Sequence, residues 1–286
     1  MSLFESHPFT PASICACGEA GLFYEQLYII RVCDGQTKRL AKYCKDAGVE
    51  YPMPTVCSGP YGSPDILDQG AENVQLIAGG TGVSFTLPIA SKTIAEARQD
   101  KLNPKSAARR VDFVWIVRRA RNVDWIREEL NKLKRAARVG GVNLHIRIFI
   151  TREGNKSGRE AELTPSSPVE SLSSGTVGID AGEEAEIQPS PAEKEVMVMK
   201  SMSSMSSAGA GHEMDWLQDH HPQVGEIMRG FWEERCIRGR VQVLASGPPS
   251  MVGELRGAVA ECNVPAMVKR GEGRGAVGFY WDAREY

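Results

Sequence analysis

The sequence predicts an α/β fold, an open parallel sheet connected by crossover helices. Short β-branched or apolar runs alternate with stretches of helical periodicity between residues 74 and 261. Two of the joins where a strand run gives way to a helix are rich in glycine and proline, Gly79–Gly82 and Gly247–Pro249. The alternation also resumes after a long serine-rich stretch, so that stretch interrupts one domain and does not join two. Strands alternating with helices select a parallel sheet, because each crossover needs a dozen or more residues to return to the same edge.

Val74–Ala78 is a short apolar run closed by glycines, the pattern of a buried strand. Ser84 to Arg98 reads as a helix, with Pro88 tolerated only if it falls near the first turn. Val111–Val117 is β-branched and aromatic, a second strand. Asn122 or Asp124 offers a cap for the next helix, whose Ile126, Leu130, Leu133 and Ala137 share a face and whose end is marked by Gly140-Gly141. Val142, Leu144, Ile146, Ile148 and Ile150 then alternate with Asn, His, Arg and Phe in a third strand. A helix at about 222–235, the strand Val241–Ala245, a helix from Pro249 to Glu261 and a terminal strand Val277–Trp281 complete the series. Ahead of these, Leu27–Val32 reads as a strand and Thr37–Ala47 as a short amphipathic helix. Residues 1–58 hold too few strands for an independent fold and read as the remnant of a larger unit.

Residues 59–286 form the main domain, interrupted at about 152–214. Eleven serines fall between Ser166 and Ser207, and no Phe, Trp or Tyr lies between Phe149 and Trp216. Such a segment cannot bury enough apolar surface to offset the entropy of ordering, and the weak apolar run Val196–Val198 does not change that expectation.

Charge and cysteine content exclude several classes. Lys+Arg 34 against Asp+Glu 36 leaves a formal charge of -2, without the basic excess of a nucleic-acid binder. No run approaches the roughly 18–20 apolar residues of a membrane helix, and the first residues lack the pattern of a secretory signal. Cys15 and Cys17 are one residue apart, the wrong spacing for a zinc knuckle, and His220–His221 reads as a solvated turn, so no metal site is expected.

Ala78-Gly-Gly-Thr-Gly-Val-Ser84 lies between a strand and a helix, where an open parallel sheet holds its ligands. Glycines allow a pyrophosphate close to the backbone, and the helix start stabilises its charge. Phe85 stands where a third glycine is expected, so the segment fits either a phosphate cradle or a plain glycine-rich turn. The second strand runs into Arg118-Arg119-Ala-Arg121 with no acid before Asp124, which suits a 2′-phosphate and hence NADPH; the same arginines also suit a solvated turn. Ser246-Gly-Pro-Pro249 would line the same crevice. Ser250 reads as a helix cap, since no GxSxG surrounds it.

Taken in order, His7-Pro-Phe-Thr10 with Ser13, Ile29-Ile-Arg-Val-Cys-Asp-Gly35, Gly59-Pro-Tyr-Gly62, Ala78 to Pro88, Val114-Trp-Ile-Val-Arg118 and Ser246-Gly-Pro-Pro249 give the chain a resemblance to a known family. It resembles the FAD- and NADPH-binding cytosolic end of ferric/cupric-chelate reductases, in particular their fungal branch. These belong to the ferredoxin-reductase-like flavoprotein superfamily and are similar to the NADPH oxidases. The resemblance implies that His7, Pro8, Phe9, Thr10 and Ser13 contact FAD, and that Gly59, Pro60, Tyr61 and Gly62 lie near the pyrophosphates. It implies that Gly79, Gly80, Thr81, Gly82, Val83 and Ser84 cradle NADPH, with Arg118 on the 2′-phosphate. Ser246, Gly247, Pro248 and Pro249 would flank the nicotinamide, and Tyr286 would cover the flavin; Ser246 and Tyr286 are the implied catalytic pair. The implied activity is hydride transfer from NADPH to FAD, then electron transfer through membrane haems to ferric or cupric chelates, at the cytosolic face of a plasma or vacuolar membrane.

Two departures shape the expectation. Ser246 stands where many relatives have cysteine. The chain also begins just before His7, without most strands of a flavin barrel and without haem-bearing helices, so a truncated product is expected. A nucleotide-binding module without turnover and a soluble NADPH diaphorase are the competing readings.

Overall fold

A computed structural model describes residues 8–13, 26–47, 66, 67, 70–99, 110–152, 196–199, 213–217, 220–234 and 238–282. The central sheet has six strands: β2 (Ala71–Gly79), β3 (Arg110–Val117), β4 (Asn143–Ile150), β6 (Glu213–Trp216), β7 (Arg240–Ser246) and β8 (Val277–Asp282). Their order across the sheet is β6-β4-β3-β2-β7-β8, and every neighbouring pair is parallel. The chain grows outward from β2 in one direction through β3, β4 and β6, then returns to lay β7 and β8 on the opposite side. The strand order therefore reverses between β2 and β7, the topological switch point of an open α/β sheet.

Helices cover both faces. On one side lie α2 (Val83–Gln99) and α3 (Arg127–Gly140), on the other α4 (Val224–Glu233) and α5 (Pro249–Cys262). Successive side chains of each strand enter opposite cores. Leu76, Phe113, Trp115, Ile148 and Leu244 face α2 and α3, whereas Ile77, Val114, Val243 and Ala245 face α4 and α5. All eight residues of β3 are buried, as a central strand covered on both sides requires. Each such aliphatic side chain contributes about 1.5–3 kcal/mol on burial. An exposed helix pair such as Glu128–Lys132, 3.5 Å apart, adds at most about 0.5 kcal/mol. The two cores hold the fold, and the surface charges decorate it.

The expected elements stand within a few residues of their predicted limits, and Gly141, with φ +73°, ends α3 as its sequence suggests. Four details differ. Neither Asn122 nor Asp124 caps α3: a 3-10 turn over Ala120–Trp125 intervenes, Ile126 takes the cap position, and Asn122 Oδ1 accepts the Arg119 N–H at 2.9 Å. Pro88 is the sixth residue of a continuous α2, in its second turn and not its first. Pro248, not Ser250, occupies the cap of α5, and Pro249 fills its first turn, where a missing N–H costs nothing. Two pieces of the serine-rich segment carry strands. Val196–Met199 forms β5, paired antiparallel with β1 (Tyr28–Arg31), and β6 begins at Glu213 within the predicted interruption. Backbone pairing with a partner strand decides these short pieces, which composition cannot register.

Ahead of the sheet, β1 leads to α1 (Gln36–Ala47), and Pro11 bridges Tyr28 so that residues 11–13 meet the start of β1. Ala12, Leu27 and Ile29 join the same core as Ala78, Val83 and Phe85, and β1 touches the turn after β2. A short helix α6 (Pro265–Lys269), not anticipated, precedes β8.

At the amino ends of the strands, remote from the switch point, Arg110 is buried between two acids. Its Nε donates to Asp112 at 2.8 Å and its Nη1 lies 2.6 Å from Glu234, with Phe231 beneath the guanidinium. Burial pushes the Asp112 carboxyl above its ordinary value; the hydrogen bond and charge of Arg110, with His145, pull the other way, and Glu234 adds to the rise. A carboxyl raised in the folded state contributes most below its unfolded pKa, and that contribution fades as pH rises through the folded value. Replacing Asp112 with Asn should therefore shift the stability difference in favour of the unsubstituted protein as pH falls from about 6 to about 4, read by urea denaturation at each pH.

Candidate functional site

The carboxyl ends of β2 and β7 bring two glycine-containing turns face to face. β2 runs through Gly79 into a 3-10 turn, Gly80–Gly82, which passes directly into α2. β7 ends at Ser246 and passes through Gly247 and Pro248 into α5. Between them there is no space for a Cβ. One placed on Gly82 would stand 2.4 Å from the Ser246 carbonyl oxygen, and one on Gly79 would stand 2.8 Å from Cδ of Pro248. A Cβ on Gly247 would lie 3.1 Å from Gly79, with the sulfur of Met251 below both turns. Glycine is required here for close approach of two backbones, which is a different requirement from conformational freedom.

Gly80 is the exception and needs that freedom. Its φ is +56°, a region that costs an L residue strain, and among the described residues beyond its chain neighbours no atom lies within 4 Å of where its Cβ would be. The turn therefore has one tightly packed edge, Gly79 and Gly82, and one open point at the head of α2. From β3, buried Trp115 donates its Nε1–H to the Gly80 carbonyl at 2.9 Å, and its ring sits 6.2 Å from that of Trp125. Ser84 Oγ donates to the Thr81 carbonyl at 3.0 Å. These two bonds set the peptide planes of the turn.

The structure places the predicted residues unevenly. Gly79, Gly80, Thr81 and Gly82 stand at the switch point opposite Ser246, Gly247 and Pro248, with Pro249 beginning α5. Val83 is fully buried in the core and the Ser84 hydroxyl is turned inward, so neither side chain is open to solvent. Arg118 follows β3 directly and is exposed, its carbonyl accepting the Arg152 N–H at 2.9 Å. Pro8 and Phe9 are exposed, Phe9 by 43%, and Ser13 Oγ accepts the Leu27 N–H at 2.9 Å. His7, Gly59, Pro60, Tyr61, Gly62 and Tyr286 lie outside the described residues. His220 and His221 are exposed, and no cluster of potential metal ligands occurs among the described residues.

Ser246 is wholly buried and donates its hydroxyl to Oδ2 of Asp282 at 3.2 Å. Sequence reasoning passed over Asp282 and Trp115. Trp115 carried a usable signal, since a buried indole N–H must find an acceptor. Asp282 carried none, because its relation to Ser246 arises from the β7–β8 register, which pairs the two residues. Nearby, Phe85, in the place of a third glycine, stacks on Tyr280 of β8 with centroids 5.7 Å apart. A side chain here bridges α2 to a strand two positions away, where a glycine would bring helix and strand closer.

Known proteins match this chain along the same region. The family described as the ferric reductase NAD binding domain covers residues 71–260. A probable ferric reductase transmembrane component of Candida albicans is 23% identical over 258 residues, covering 90% of this chain and 32% of that protein. A probable cell surface ferric reductase, kap2, of Aspergillus oryzae is 30% identical over 155 residues, 53% of this chain and 20% of its own length. Ferric reductase transmembrane component 5 of Saccharomyces cerevisiae is 31% identical over 151 residues, 52% and 19% of the two chains. The chain thus spans about a third or less of the curated relatives it matches. A ferredoxin NADP+ reductase from Neisseria gonorrhoeae, solved with FAD and NADP, overlaps 74% of this chain and 56% of its own at 11% identity, with a TM-score of 0.34.

The two kinds of glycine separate by substitution. Gly82→Ala should cost about 1–3 kcal/mol and spread the two turns, because a backbone carbonyl must move. Gly80→Ala should cost about 1–2 kcal/mol from its φ alone and leave the two turns in contact. Denaturant titration of both variants gives the comparison.

Proposed function

The chain belongs to the ferric reductase NAD-binding domain family, and from that premise we propose that it is the dinucleotide-binding part of a ferric- or cupric-chelate reductase, taking NADPH and serving FAD. The observation that carries the proposal is the apposition of Gly79–Gly82 and Ser246–Pro248 at the switch point, the place where parallel sheets of this kind bind dinucleotides.

The residues present fit such a ligand. Gly80 leaves an open, Cβ-free point at the head of a 17-residue helix, where backbone N–H groups and the helix dipole favour a pyrophosphate. Trp115 and Ser84 hold the turn in that shape before a ligand arrives, so little ordering is left to be done on binding. Arg118, at the carboxyl end of β3, is assigned to the 2′-phosphate. Gly247, Pro248 and Pro249 form the opposite wall, beside the nicotinamide. Pro8, Phe9, Thr10 and Ser13 are assigned to FAD; their segment meets β1 at Tyr28, and β1 touches the Gly80–Gly82 turn, so the flavin side adjoins the dinucleotide side. When bound, the two cofactors supply a hydride donor and an acceptor that can release electrons singly. The protein orients them and excludes water. A haem-bearing membrane part and ferric or cupric chelates would follow as partners, with this chain at the cytosolic face. No described helix is long and apolar enough to cross a membrane.

Purification of the chain with added FAD, followed by flavin absorbance and NADPH-dependent ferricyanide reduction, tests the reading. Saturable NADPH binding without flavin would favour a nucleotide-binding module without turnover and eliminate a soluble diaphorase. Stoichiometric flavin with turnover would eliminate the inert module. Arg118→Ala should weaken NADPH by about tenfold and NADH by much less, since only one carries the phosphate that a guanidinium recognises; equal loss for both would refute the assignment.

A further inference from the structure

We propose that Asp282 is a positioning residue of the dinucleotide crevice. Acting through Ser246, it makes the crevice favour the oxidised, positively charged nicotinamide over the reduced, neutral one. The inference rests on the dinucleotide reading above and deepens it.

Asp282 is the last residue of β8 and only 5% exposed. The parallel register sets it beside Ser246, and its Oδ2 accepts the Ser246 hydroxyl at 3.2 Å. A hydroxyl has one proton and two lone pairs. With the proton directed at Asp282, Ser246 Oγ meets any further partner only as an acceptor. Gly82 lies against this oxygen: a Cβ built on it would stand 3.0 Å away. The pair therefore places an electron-rich oxygen at the seam between the two turns, with a carboxylate directly behind it.

The pair also sits on the correct face. Leu244, two residues before Ser246, belongs to the core beneath α2, and Tyr280, two residues before Asp282, stacks on Phe85 of α2. Ser246 and Asp282 thus project toward the side on which α2 begins, beneath the packed Gly82 edge of the turn and next to its open point at Gly80. In the low-dielectric interior a carboxylate acts more strongly on a nearby charge than it would in water. Its effect differs between a cationic ring and a neutral one, and that difference is what shifts an equilibrium.

Asp282→Asn retains an acceptor for Ser246 and removes the charge; Ser246→Ala removes the hydroxyl that relays it. Titration of the 286-residue chain with NADP+ and with NADPH, each by calorimetry at fixed ionic strength, reads both affinities. Asp282→Asn should weaken NADP+ by about three- to tenfold and NADPH by less than about twofold. Ser246→Ala should shift the ratio in the same direction, and the double variant no further than either single one, as expected for residues acting as one unit. Equal weakening of both dinucleotides, or an unchanged ratio in both single variants, overturns the inference while leaving the dinucleotide reading intact. Absence of saturable binding by the unsubstituted chain overturns that reading and this inference together. Thermal melting of each variant distinguishes a general loss of fold, which would weaken both ligands alike.

Discussion

The structure depends on a backbone-to-backbone contact at the reversal of strand order. Gly82 meets the carbonyl of Ser246, and Gly79 meets Gly247 and Pro248, at distances that admit no side chain. Close packing at this point lets two turns, contributed by residues about 165 apart in the chain, form one rim. The rim has the form expected of a dinucleotide site, with glycine where backbones must touch and a left-handed glycine where the surface must stay open.

The rest of the sheet supports that contact from both faces. Trp115 reaches across from β3 to hold the Gly80 carbonyl, and Met251 of α5 lies under both turns. Asp282 ties the end of β8 to the end of β7. The other end of the sheet is sealed differently, by Arg110 between Asp112 and Glu234 beneath α4. A buried ion cluster carries a desolvation penalty that an apolar seal would avoid, and the raised carboxyl of Asp112 is the local sign of it. Placing that cluster at the amino ends of the strands keeps its charges away from the crevice at the carboxyl ends.

Particular residues show how far the sequence could be read. Val111–Val117 and Val142–Ile150 were legible because β-branched runs and strict alternation are local signals. Gly79–Gly82 and Ser246–Pro249 were legible as turns because glycine and proline are concentrated there. β5 was not, since Val196–Met199 lies in a serine-rich context and gains its strand character from pairing with Tyr28–Arg31. The start of α3 was missed because Asn122, a good cap by type, is engaged in a 3-10 turn upstream. In the site, Val83 and Ser84 match a motif by position, yet their side chains are committed to the core and to the Thr81 carbonyl.

The sequence by itself determined the α/β class, the strand and helix order, the two glycine turns and the family resemblance, since each rests on periodicity or residue type within a short window. Only the tertiary structure decided which turns meet, which glycines are needed for approach and which for conformation, and that Ser246 is paired with Asp282. Those facts depend on strand order and register, and register is a relation between segments that hydrophobic pattern in either one leaves open.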